Sequence, residues 1–120
     1  MDIIVTTPKR EMANAAREAE DCKRDGGGEY FRRFPVERAP DVLPGDRVYY
    51  VEDGYIRGFA VVKWLHLAKN SVRCTTTRRR YPPGLYIYMR ASSWQWIEPI
   101  PMSGFRGFRH ARWLDPKPLT

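Results

Sequence analysis

Apolar and polar positions change period several times along the 120-residue chain, and each change marks an element. Residues 3–7, IIVTT, are β-branched without a break and predict a strand. Pro8 then suits the first turn of a helix, and the Thr7 hydroxyl can cap it. Met12, Ala15, Ala16, Ala19 and Cys22 recur at steps of three and four, the stripe of one helix whose small residues allow close packing on a sheet. DGGG at 25–28 ends that helix.

From residue 47 the period becomes two. Residues 29–46 come first, a loop-rich passage with three prolines and room for a short strand or one turn of helix, closing on the turn PGD at 44–46. The runs 47–52 and 55–65 read as strands joined by Asp53-Gly54, the signature of a type I′ hairpin turn. Gly58 within the second run predicts a bulge or a close backbone approach. Residues 68–71 turn the chain, 72–77 read as a strand ending in Arg78, Arg79 and Arg80, and YPPG at 81–84 is a stiff turn. In LYIYMR, residues 85–90, Leu85, Ile87 and Met89 take one face and Tyr86, Tyr88 and Arg90 the other. WQWIEPI, 94–100, sets Trp94 and Trp96 on one face of a last strand. The predicted class is therefore α+β, a single domain over 1–120 in which one N-terminal helix precedes about five antiparallel strands. Such a set closes into a small barrel, because closure removes exposed edges. Residues 101–120 form a basic tail packed on that barrel or extending from it.

Charge sharpens this picture. Residues 1–70 hold 12 Lys/Arg and 12 Asp/Glu, whereas 71–120 hold 9 Lys/Arg against Glu98 and Asp115, so the net +7 arises in the last fifty residues. Arginine outnumbers lysine 16 to 5, a bias suited to bidentate phosphate contact. Aromatic residues are interleaved with these cations, and a concentrated positive field attracts polyanions. No run of 18 apolar residues is present, so no membrane span is expected. MDIIVTT lacks a cationic n-region and a cleavage site, which predicts a cytoplasmic protein with Cys22 and Cys74 reduced, and a monomer. His66 and His110 are the two histidines, neither in metal-ligand spacing, so no metal and no cofactor are expected.

The segment VERAPDVLPGDRVYYVEDGYIRGFAVV, 36–62, resembles the PUA-like superfamily, in particular its ASCH and EVE branches. The matching features are Glu37 and Arg38 (adjacent here), the Gly45-Asp46 turn, the hairpin, and the run Gly58 to Val62. The end of the chain, W-x-x-I-E-P-I-P-M-S-G-F-R-G-F-R from Trp94, resembles small proteins of phages and their bacterial hosts. The resemblance implies a PUA-like pseudo-barrel of five or six mostly antiparallel strands with a cleft beside the first helix. It also implies a choice of activities: RNA binding, recognition of modified bases, or an ASCH-like metal-independent ribonuclease.

Candidate contact residues follow from chemistry. Tyr86, Tyr88, Trp94 and Trp96 offer flat faces on which a base can stack, and each could equally fill the barrel. Arg78, Arg79, Arg80 and Arg90 could hold phosphates, or be solvated loop charges. Arg106, Arg109 and Arg112 recur every third residue, so a turn of helix would cluster them, with Phe105 and Phe108 anchoring the tail. Thr7, at the strand-to-helix junction, lies where free N–H groups attract anions, or else it only caps. No G-x-S-x-G, Walker or H-E-x-x-H motif is present, and no spacing singles out an acid–base pair from His66, His110, Lys63, Tyr49 and Glu37. A nucleic-acid-binding module for RNA, single strands or a modified nucleotide is thus the first expectation. A ribonuclease, and a phage or host protein that meets an acidic protein partner, are the alternatives.

Overall fold

The computed structural model describes residues 1–7, 29–69, 72–73 and 80–119. The helix expected over 8–24, together with Cys22, Cys74, Arg78 and Arg79, lies outside them. Nine strands occur among the described residues: β1 (Ile3–Thr6), β2 (Glu29–Phe34), β3 (Arg47–Glu52), β4 (Tyr55–Ala68), β5 (Val72–Arg73), β6 (Arg80–Tyr81), β7 (Gly84–Arg90), β8 (Gln95–Pro101) and β9 (Arg109–His110). Two single 3-10 turns, Val36–Arg38 and Ala91–Ser93, are the helical structure among these residues. The predicted α+β barrel of five or six strands is therefore corrected to a mostly-β fold with a curled, half-barrel sheet.

The main sheet runs β2-β7-β4-β3-β1-β9, with β8 also on β4, and β5 and β6 form a separate ladder. Its organiser is β4, whose 14 residues serve two sets of partners. The first half pairs with β3 and β8, and the second half, from Val62 to Ala68, with β7. Strands β7 and β8 are successive lengths of one antiparallel path along β4, interrupted by the Ala91–Ser93 turn. Register shifts fall in both halves of β4, between Ile56 and Gly58 and between Val62 and Trp64. Such bulges bend a strand and raise its twist, which curls this sheet. At Gly58 an added Cβ would stand 2.5 Å from Cζ2 of Trp94 and 2.6 Å from the Gln95 carbonyl oxygen, so the bend requires the glycine. Asp53 (φ 51°) and Gly54 (φ 80°) form the left-handed corner that the β3–β4 hairpin needs.

Strand β1 pairs parallel with β3 and antiparallel with β9, and Ile3, Ile4 and Val5 are all fully buried. An unbroken apolar run of this kind fits a strand covered on both faces. Burial of each such side chain stabilises the fold by about 1.5–3 kcal/mol. Inside the curl, Ile3 and Val5 pack with Phe34, Val42, Val48, Ala60, Val62, Ile87 and Met89. On the opposite face, Ile4 packs with Tyr49, Val51, Ile56, Phe59, Ile97 and Ala111, covered by Met102, Phe105 and Leu114 of the tail.

The tail is thus bound to the body. Its backbone bonds run from Ala111 N to Asp2 O (3.1 Å), from Glu98 N to Lys117 O (2.8 Å) and from Leu119 N to Trp96 O (3.3 Å). The two sheet edges are tied by side chains: Phe34 of β2 meets Phe108 edge-on at 5.9 Å, and Arg32 Nη1 donates to Thr6 O at 3.1 Å.

Candidate functional site

The outer face of β2, β7 and the second half of β4 gathers aromatic and charged residues that lie far apart in sequence. Leu85, Ile87 and Met89 point into the curl, so alternation turns Tyr86, Tyr88 and Arg90 outward. The register sets Tyr88 between Phe31 and Trp64, Tyr86 between Arg33 and His66, and Arg90 beside Glu29. Trp64 lies flat on Tyr88, with centroids 3.9 Å apart and planes 3° from parallel, while remaining 39% exposed. Phe31 is tilted against both Tyr86 (5.3 Å) and Tyr88 (5.7 Å), and the exposed His66 ring lies 6.4 Å from Trp64.

One carboxylate fixes the edge of this surface. Glu29 accepts a hydrogen bond from the Trp64 indole Nε1 at 3.3 Å and pairs with Lys63 Nζ. The Lys63 hydrogen bond, with smaller help from Trp64 and the charges of Lys63 and Arg90, holds the Glu29 carboxyl below its ordinary range against a modest burial effect. The indole is thereby held in plane on Tyr88 rather than left to rotate.

The remaining sequence candidates occupy other places. Tyr86 faces outward but is fully buried, its hydroxyl donating to Pro82 O. Trp94 is half-buried against Tyr50 (5.6 Å) and the interior cluster, and its buried Nε1 meets no acceptor among the described residues. Trp96 stands edge-on to it at 5.3 Å and is 48% exposed. Thr7 is buried at the end of β1, its amide bonded to Val51 O (3.0 Å) and its hydroxyl reaching Glu52 Oε1 at 3.5 Å. Half-burial pushes the Glu52 carboxyl up, opposed by Thr7 and Arg57. Arg80 is placed through its backbone, which pairs with Arg73.

The tail arginines do not share a helical turn. Arg106 sits in a bend, Arg109 in β9 and Arg112 in the following turn, all exposed. The Arg109 guanidinium covers the Phe105 ring at 4.4 Å, and the Phe105 amide donates to Thr6 Oγ1 at 3.0 Å. Phe105 and Phe108 both pack on the body, one on each face of the sheet. Tyr88 and Arg90 lie on β7 and Arg109 on β9, with β4, β3 and β1 between them along the sheet, and the Arg109 guanidinium covers Phe105 rather than the β7 aromatics.

Phe31, Lys63 and Trp64 were not among the contact residues read from the sequence. The signal for Trp64 is its two-residue phase with His66, which becomes informative only once β4 is known to pair with β7. Among the described residues no group of three or more His, Cys, Asp or Glu is placed to hold a metal ion, and no helix is long and apolar enough to cross a membrane. No family model matches the chain, and neither does any curated protein or solved structure.

Proposed function

We propose that this protein is a nucleic-acid-binding module that takes single-stranded nucleic acid, RNA first, on the outer face of β2, β7 and β4. The observation that carries the reading is the Trp64–Tyr88 stack. One face of the indole rests on Tyr88, and 39% of the residue stays exposed to receive a base. A flat ring held in advance at a sheet surface is what an unpaired base requires, and each stacked base gains about 1–3 kcal/mol. Duplex bases offer no free face, which sets the preference for single strands. Arg90, exposed at the end of the same face, and the net charge of +7 supply the attraction for phosphates.

The test is an anisotropy titration of a short labelled oligoribonucleotide, repeated between about 50 and 200 mM salt. The reading requires affinity that falls linearly in a log–log plot, with a slope near 0.7 per phosphate contact, that is, about 2 for three contacts. It also requires weaker binding of the corresponding duplex. Absence of binding at the lowest salt contradicts it.

A further inference from the structure

The opposite half of the sheet carries a second concentration of cations, built differently. Where the tail crosses the outer face beside β3, a depression of about 510 Å³ is lined by Arg47, Tyr49 and Asp2 on one side and Arg112, Leu114 and Pro116 on the other. That volume lies within the usual range of small-molecule sites, about 300–1,000 Å³.

We propose that this depression binds a phosphate group, a site separate from the stacking face and independent of that reading. Three features support it. First, Arg47 is braced: its Cζ lies 4.3 Å from the Phe59 ring centroid, and Nη1 donates to the Tyr49 hydroxyl at 3.2 Å. One N–H is spent on Tyr49, and the remaining fork is fixed in place by the ring beneath it. Second, neither Arg47 nor Arg112 is ion-paired with a carboxylate among the described residues. Asp2, the acid on this lining, accepts the Arg47 backbone amide at 2.8 Å, and the neighbouring Asp46 is taken by the N-terminal ammonium and the Leu43 amide. Two guanidiniums facing one depression repel each other, and a bound oxyanion offsets that repulsion by attracting both. Third, Tyr49 has passed its oxygen to Arg47 as an acceptor, which leaves its O–H to donate. Guanidinium forks with a hydroxyl donor match the several acceptor oxygens of phosphate. Leu114 and Pro116 add an apolar wall for whatever organic group carries it.

Calorimetric titrations of the folded chain with inorganic phosphate, a ribonucleoside 5′-monophosphate and acetate, at matched ionic strength, test the site. Both phosphates are expected to bind and acetate to bind at least tenfold more weakly. Tighter binding of the mononucleotide assigns the apolar wall to its organic part, and equal affinity assigns the site to the phosphate alone. Arg112→Gln, at an exposed position, should weaken phosphate about tenfold, as should Arg47→Gln. Trp64→Ala should leave phosphate affinity unchanged, which separates this site from the stacking face. Phosphate binding no tighter than acetate, or undiminished in Arg112→Gln, overturns the proposal.

Discussion

The Trp64 indole and the Tyr88 phenol ring, 24 residues apart in sequence, lie parallel within 3° at 3.9 Å on the outer face of the sheet. Their stack is a product of the β4–β7 register, which places Trp64 directly opposite Tyr88 after a bulge. Trp64→Ala is therefore expected to weaken oligoribonucleotide binding by about 1–3 kcal/mol, roughly 5- to 150-fold, and to lower stability by about 1–2 kcal/mol through the lost ring contact with Tyr88, the protein staying folded. Trp96→Ala, at an indole 48% exposed on β8, is the control and should bind as the parent does. Anisotropy titration with urea unfolding of the same samples checks both effects.

Glu29 links that surface to pH. Its carboxyl is held below the ordinary range chiefly by Lys63, so the folded state favours the ionised form. The resulting stability is present above the unfolded-state carboxyl pKa and is lost as pH falls through the lower, folded-state value. The pair is solvent-exposed, so Glu29→Gln should change neutral-pH stability by less than about 1 kcal/mol. Its larger effect should be on the indole: Trp64 fluorescence in the parent is expected to change on acidification through the carboxylate range, and the Glu29→Gln protein should lack that transition.

Glu52 has the opposite sign. Half-burial raises its carboxyl pKa, so in the window between the unfolded and folded values the native state holds the extra proton. Its contribution therefore becomes less favourable as pH rises through that window, and the penalty persists above it. Glu52→Gln keeps an acceptor for the Thr7 hydroxyl and removes the buried charge. It should be as stable as the parent or more so at pH 7, with the gap closing in acid. Urea midpoints across pH measure this, and a clear loss of stability at pH 7 contradicts it.

Two glycines of the β3–β4 hairpin should respond unequally to alanine. At Gly54 the added methyl meets open space, and the cost is the left-handed backbone alone, about 1–2 kcal/mol. At Gly58 the methyl runs into the Trp94 ring and the Gln95 backbone, so strand β8 must shift. Gly58→Ala should lose about 1–3 kcal/mol and also change near-ultraviolet circular dichroism, because the Trp94–Tyr50 and Trp94–Trp96 contacts move.

Local signals carried the sequence reading where the structure is local. Asp53-Gly54 makes the hairpin, Gly58 marks a close approach, and the alternation of residues 85–90 separates interior from exterior on β7. Tyr86 and Tyr88 show where such a signal ends. They share a face and a period, yet one is fully buried and the other half-buried on Trp64, a difference set by neighbours that alternation does not name. The parallel β1–β3 pairing joins Ile3 to Val48 and has no local signature, nor does the two-residue strand β9 against β1. Without β9, the spacing of Arg106, Arg109 and Arg112 suggested a helical turn. The structure spends that segment on covering Ile4 and Ile97 instead.

Whether a base lands on Trp64 is read from an indole-resolved NMR titration with a short single-stranded oligoribonucleotide, the four tryptophan Nε1–H signals being assigned by single replacement. The Trp64 signal is expected to shift most, and the signal of the half-buried Trp94 to stay in place. A bound oligonucleotide that moves Trp113 or Trp96 and leaves Trp64 unmoved would contradict that expectation.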